Sequence, residues 1–177
     1  MSSIIKFLKT RDVKSPSRAN KYDAGIDFYV PELTDEFVAV LREKNPHIDV
    51  WEHSEMGRHI PLSPHQRILI PSGIYCQMEK PGTALIAANK SGVATKTGLI
   101  FGAQVVDFEY QGEIHLSLIN TSDIAVEITS GMKIIQFLEM PVFNSIILVN
   151  EEGISVKDFY SKETTRGASG FGDSDKK

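Results

Sequence analysis

Apolar and polar positions alternate along most of the chain in short runs closed off by glycine, proline, asparagine and serine. The runs at 4–8, 24–30, 67–70, 73–78, 83–88, 98–101, 113–120, 124–128, 132–140 and 145–149 are rich in β-branched and aromatic residues, and predict strands. In 113–120 the apolar side chains Ile114, Leu116 and Leu118 fall on one face, as a half-buried strand requires. Pro71-Ser72-Gly73, Lys80-Pro81-Gly82, 120–123 and Ser130-Gly131 supply turn chemistry between the runs. Many short strands at this spacing predict an all-β sandwich, jelly roll or barrel.

Residues 31–65 break the alternation. Thr34 is placed to cap a helix whose first turn carries Asp35 and Glu36, whose middle carries Phe37, Val38, Val40 and Leu41, and whose end is basic. Asn45-Pro46 stops it. After it no clear period appears, so 31–60 reads as an insertion, part helix and part loop. His47, His53, His59 and His65 recur every six residues. Six is neither a helical nor a strand repeat, so solvated loop histidines are expected rather than a metal site. The tail, 162–177, is polar and glycine-rich, with Phe171 its only aromatic. The expected organisation is one β domain over 1–161 and a mobile tail over 162–177.

Charge narrows the partners. Nineteen Lys and Arg against 23 Asp and Glu leave a net charge of −4, a poor surface for wrapping nucleic acid. A few cations and backbone amides still suffice for one small anionic ligand. Cys76 is the single cysteine, which excludes an intramolecular disulfide and a multi-cysteine zinc site. No apolar run approaches the roughly 20 residues that span a bilayer, and the N-terminal apolar patch is too short and too charged for a signal peptide. A soluble, cytoplasmic protein is expected.

Five clusters carry candidate chemistry. Ala24-Gly25-Ile26-Asp27 places an acid inside an apolar strand. Lys90-Ser91-Gly92-Val93-Ala94-Thr95-Lys96 offers a cation, a hydroxyl and a glycine amide suited to phosphate oxygens. Residues 102–113 read as a β-hairpin with Asp107 and Tyr110 near its bend. Gly131-Met132-Lys133-Ile134-Ile135-Gln136 turns into a buried strand carrying one amide. Arg166-Gly167-Ala168-Ser169-Gly170-Phe171-Gly172 lets a backbone close over a ligand.

In order and spacing this set resembles the five motifs of trimeric dUTP pyrophosphatases (dUTPases), over nearly the whole chain outside 31–60. The resemblance implies a dUTPase-like jelly roll (β-clip) and a homotrimer with active sites shared between subunits. It implies Mg2+-assisted hydrolysis of dUTP to dUMP and pyrophosphate, which limits uracil incorporation into DNA. Asp107 is the implied catalytic residue, activating a water in line with the α-phosphorus. Lys90, Ser91, Gly92 and Gln136 would hold the phosphates, and Arg166 would cap the terminal one. Gln104, Val105 and Val106 would read uracil through the backbone, and Tyr110 would pack under the deoxyribose. His115 lies where the family often contacts ligand, and Phe171 with Gly172 would close over the base. Magnesium would ride on the triphosphate, with Asp27 reaching it through water. The chain departs from the family at Lys90, where Arg is usual, at Gln104, where Gly is common, and at Asp173 in the tail motif.

Two other readings stay open. A dCTP deaminase shares the fold but relies on a glutamate and an Arg-Ser-Ser type motif, where this chain has Ser91-Gly92 and Asp107. A dUTP-binding signalling protein could use Phe37, Leu41, Trp51 and Met56 of the 31–60 insertion as an anchor for a protein partner.

Overall fold

The computed structural model describes residues 3–55, 57–149, 153–160, 162, 164, 165 and 168, in two compact units, Met1–Phe143 and Asn144–Lys177. The first unit runs β1 (Ile5–Lys9), β2 (Gly25–Tyr29), α1 (Asp35–Lys44), β3 (Trp51–His53), β4 (Gly57–Leu62), β5 (Arg67–Pro71) and β6 (Ile74–Met78). It continues through β7 (Thr83–Asn89), α2 (Ser91–Thr97), β8 (Leu99–Phe101), β9 (Val105–Val106), β10 (His115–Asn120), β11 (Val126–Thr129) and β12 (Lys133–Pro141). Its sheets are ordered β2-β12-β7-β9, β5-β10-β8, β11-β4-β3 and β1-β6. This is the all-β, jelly-roll-like architecture that the alternating pattern predicts.

Period-two alternation sets what each strand buries. Leu116 and Leu118 of β10 face the core and sit opposite Ile70 and Ile68 of β5, while His115 and Ser117 turn outward. Phe28 of β2 is fully buried, edge-on to Phe7 at 5.8 Å and tilted against Phe137 at 4.7 Å. Each such side chain stabilises the fold by about 1.5–3 kcal/mol relative to exposure.

Within the insertion, α1 forms as its capping signals predict. Thr34 Oγ1 accepts the Phe37 N–H at 3.2 Å, and Phe37, Val38 and Leu41 are buried against the core. The helix ends at Asn45, a buried side chain that behaves like a short piece of strand. Its Nδ2 donates to the Leu69 carbonyl at 2.8 Å, and its Oδ1 accepts the Leu69 N–H at 2.7 Å.

Three expectations change. The rest of 31–60 is not a loop: β3 and β4 form a hairpin, and β4 continues into a ladder with β11. Ile60 and Leu62 face the core, while His59 and Pro61 share the opposite face, where a buried histidine and a proline mask the alternation. His59 accordingly is no solvated loop histidine; it is buried, with Nε2 3.4 Å from Glu127 Oε2 and Trp51 edge-on to it. Residues 145–149 are not a strand, because within the described part of the second unit their backbone meets no partner ladder. Ile146, Ile147 and Leu148 are exposed there. That unit also contains one short helix, α3 (Val156–Phe159), capped by Ser155.

Candidate active site

Antiparallel register builds the first half of the site. Asp27 of β2 pairs with Gln136 of β12, which pairs in turn with Ala88 of β7, so an acid and an amide lie side by side across three strands. β7 ends one residue before Lys90, and α2 begins at Ser91. Asp27, Lys90, Gln136, Gly25, Asp23 and Leu138 thereby line one cavity of about 290 Å³. Ser91 and Gly92 directly follow Lys90 and stand exposed in the first turn of α2, where backbone N–H groups lack intrahelical acceptors. No helix is legible here in the sequence, because seven residues with none buried leave no apolar period.

Electrostatics organise this cavity. The Asp27 carboxylate is buried, and takes the Lys90 ammonium on Oδ1 and the Lys133 ammonium on Oδ2 at 3.3 Å. A buried acid left without such partners would be strongly destabilised. Lys133 was not among the expected site residues. Nothing local marks it, and only the β2–β12 pairing reveals that this cation reaches Asp27. Gln136 Nε2 donates to the Asn89 carbonyl at 2.8 Å, and Asn89 Oδ1 accepts the Phe101 N–H at 2.9 Å. Gly25 makes room for the amide, since a Cβ there would lie 1.9 Å from Gln136 Oε1.

The second half lies elsewhere on the chain. Residues 102–113 are not a hairpin: β9 is only two residues long, and its ladder partner is β7. The Gln104 carbonyl accepts the Ala87 N–H at 2.7 Å, and the exposed Gln104 side chain explains how the backbone tolerates it. Beyond β9 the chain turns tightly, with the Tyr110 N–H on the Asp107 carbonyl at 3.1 Å. Asp107 is exposed, and the half-exposed Tyr110 ring folds over Gly112. Half-buried His115 donates from Nδ1 to the Glu113 carbonyl at 2.8 Å.

The two halves do not meet in one chain. Val106 sits opposite Leu85, four residues before Asn89, which is about 13 Å along a strand. None of Asp107, Tyr110 or His115 lines the Asp27 cavity. Arg166, Phe171 and Gly172 lie outside the described residues.

Residues 56–175 match the dUTPase family model. The chain belongs to the dUTPase family. It is 36% identical over 115 residues to the deoxyuridine 5'-triphosphate nucleotidohydrolase of Pseudomonas fluorescens, covering 64% of this chain and 71% of that one. Against the enzyme of the same description from Hydrogenovibrio crunogenus the identity is 33% over 113 residues, 63% of this chain and 69% of that one. The fold is similar to that of the Staphylococcus bacteriophage 80alpha dUTPase with dUPNHPP: TM-score 0.70 at 18% identity, over 96% of this chain and 97% of that one. The dUTPase of S. aureus phage phi11, solved to show its species-specific insert, superposes with TM-score 0.62 at 18% identity, over 86% and 99%. The family match begins at residue 56, so β1, β2, α1 and β3 stand outside the part of this dUTPase family member that the model matches.

Among the described residues no group of three His, Cys, Asp or Glu side chains is placed to hold a metal ion. No described helix is long and apolar enough to cross a membrane.

Proposed function

We propose that this chain hydrolyses dUTP to dUMP and pyrophosphate, at sites completed by neighbouring copies of itself in a homotrimer. The observation that carries the reading is the division of the candidate residues. One face offers phosphate-binding groups around Asp27, Lys90 and Gln136, while Asp107 and Tyr110 occupy another wall of the same chain. A neighbour presenting its Asp107 loop to this chain's Lys90 cavity would reunite them. The exposed apolar segment at 143–149, with Phe143 and Ile146 each about nine-tenths exposed, supports association, since such a run in water favours cover.

In the assembled site Lys90, the Ser91 hydroxyl and the Gly92 amide hold phosphate oxygens, and Asp27 anchors the Lys90 and Lys133 ammoniums from behind. Gln136, oriented by Asn89, donates to a phosphate oxygen through its second amide hydrogen. The neighbour's Asp107 takes the proton from the water that attacks the α-phosphorus. Gln104, Val105 and Val106 read uracil from the backbone, and Tyr110 excludes a 2'-hydroxyl. His115 supports that wall. Residues 162–177 act as the tail that brings Arg166, Phe171 and Gly172 over the nucleotide. Asp27 takes two ammoniums, and among the described residues no group of three His, Cys, Asp or Glu side chains is placed to hold a metal ion, so magnesium would arrive with the triphosphate, with Asp27 reaching it through water, and would supply neutralisation of phosphate charge. Cys76, half-buried and with its thiol pushed up to about 11 by burial and by Glu139, is compatible with the reducing cytoplasm.

The test incubates the full chain with magnesium and, separately, dUTP, dCTP, dTTP and UTP, with Asp107→Asn alongside, and separates the products. Formation of dUMP from dUTP alone, lost in the variant, is the expected result. Conversion of dCTP to dUTP would make it a deaminase. No turnover would shift the reading to a nucleotide-binding protein, with exposed Trp51 of the insertion as the first anchor to examine for a partner.

A further inference from the structure

Arg11 belongs to none of the five motifs, yet it lies behind the Tyr110 wall. Its guanidinium meets the Glu113 carboxylate in a two-pronged pair, Nε to Oε1 at 3.1 Å and Nη2 to Oε2 at 3.2 Å. Glu113 Oε1 also accepts the Gly73 N–H at 2.6 Å. Gly73 is needed on both counts: its φ is +71°, and a Cβ would lie 2.7 Å from the Arg11 Cβ. On the far side the Arg11 guanidinium stands 5.9 Å over the Phe37 ring of α1. Burial pushes the Glu113 carboxyl up, but the hydrogen bonds from Arg11 and Gly73 and the charges of Arg11 and His115 outweigh it and hold it below its ordinary value.

The other end of Glu113 serves the site. Its main-chain carbonyl accepts the Tyr110 hydroxyl at 3.1 Å as well as His115 Nδ1. Close approach to Gly112 confines the Tyr110 ring on one side, because a Cβ there would lie 2.3 Å from the hydroxyl oxygen. Among the described residues the phenol end therefore has one hydrogen-bond anchor, and that anchor belongs to the residue Arg11 clamps.

We propose that Arg11 is a positioning residue for sugar selection: by clamping Glu113 it holds the carbonyl on which Tyr110 rests, and so sets the wall that discriminates deoxyribose from ribose. The inference rests on the reading of Tyr110 as the sugar wall given above. Lysine cannot replace Arg11, since a point ammonium lacks the planar fork that occupies both carboxylate oxygens at once. A merely stabilising ion pair would instead lower the melting temperature and leave selectivity untouched.

The test measures kcat/KM for dUTP and UTP with the full chain, Arg11→Met, Arg11→Lys, Tyr110→Phe and the double variant Arg11→Met/Tyr110→Phe. Arg11→Met should lower the dUTP-to-UTP ratio about fivefold, the change one net hydrogen bond carries. Tyr110→Phe should do the same, and the double variant no more than either alone, because both break one anchor. Arg11→Lys should stay close to Arg11→Met. Glu113→Gln, which keeps the shape and loses the charge pair, repeats the test should Arg11→Met fold poorly. An unchanged ratio, or effects that multiply in the double variant, overturns the proposal. Failure of the functional reading is separable: wild type without dUTP turnover refutes that reading, and the clamp is then decided by 13C-tyrosine ring resonances. Arg11→Met should shift the Tyr110 signal and leave Tyr29 in place; an unmoved Tyr110 signal sinks the clamp whatever the turnover.

Discussion

The Asp27 cavity and the Asp107–Tyr110 loop are held in place by different means. Around Asp27, position follows from backbone register: β2, β12 and β7 run side by side, and Asp27, Gln136 and Ala88 fall into one row without any side chain arranging them. The loop has a two-residue strand, one tight turn and a few side-chain anchors. Ladders of backbone bonds open together and at high cost, while anchors of one bond each open singly. Under the proposed function, phosphate binding, which needs charge at a steady place, would sit on the ladder, and selection of base and sugar, which needs close fit, on the anchored loop.

That contrast can be broken at several points. The largest effect should come from Asp107→Asn, which removes the proposed proton acceptor and leaves the ladders intact. Turnover of dUTP should fall about a hundredfold or more with an unchanged melting temperature. A melt lowered in step with the activity would mean that Asp107 is structural. Next is Gly25→Ala. The new Cβ must drive the Gln136 side chain from its place, so kcat/KM should fall about tenfold, as for losing a hydrogen bond to a charged group. Adding Gln136→Ala to it should then cost little more, and a further full loss would show that the two positions act separately.

On the loop, Gly112→Ala should swing the Tyr110 ring off its rest and lower the dUTP-to-UTP ratio severalfold, with kcat for dUTP less affected. Equal losses for the two nucleotides would place the ring elsewhere. The smallest effect is the pH dependence of the loop's clamp. Glu113 ionises more readily in the folded chain than its ordinary value of 4.5, so the stability it adds is fully present above that value and drains away as the pH falls through the folded value. The gap in melting temperature between wild type and Arg11→Met should therefore narrow as the pH drops below 4.5. A gap that stays constant into acid would show that the clamp does not depend on the charge of Glu113.

The sequence made legible whatever depends on neighbours within a few positions. The strands of the alternating runs, the cap at Thr34 and the helix stop at Asn45 all rest on local periodicity or turn chemistry, and the structure has them. The motif resemblance likewise located Asp27, Lys90 and Gln136, which do converge. What escaped depends on pairing across long separations. Lys133 joins Asp27 only because β12 runs against β2, and Arg11 meets Glu113 across 102 positions. The supposed hairpin at 102–113 failed for the same reason, since β9 takes its partner from β7 rather than from the strand that follows. The run at 145–149 has strand composition, but composition cannot supply the ladder that makes a strand.

The amide of Asn45 also decides how a shortened chain would go wrong. β5 is hydrogen-bonded to β10 along one side. Along the other, Asn45 satisfies Leu69 and His47 donates to the Arg67 carbonyl at 3.0 Å. Excising residues 31–60 would strip those groups and leave an extended backbone free to recruit any passing chain. Precipitation, rather than a clean loss of some accessory role, is what such a deletion would report. The insertion's contribution is better probed by Trp51→Ala, which leaves that protective plug in place.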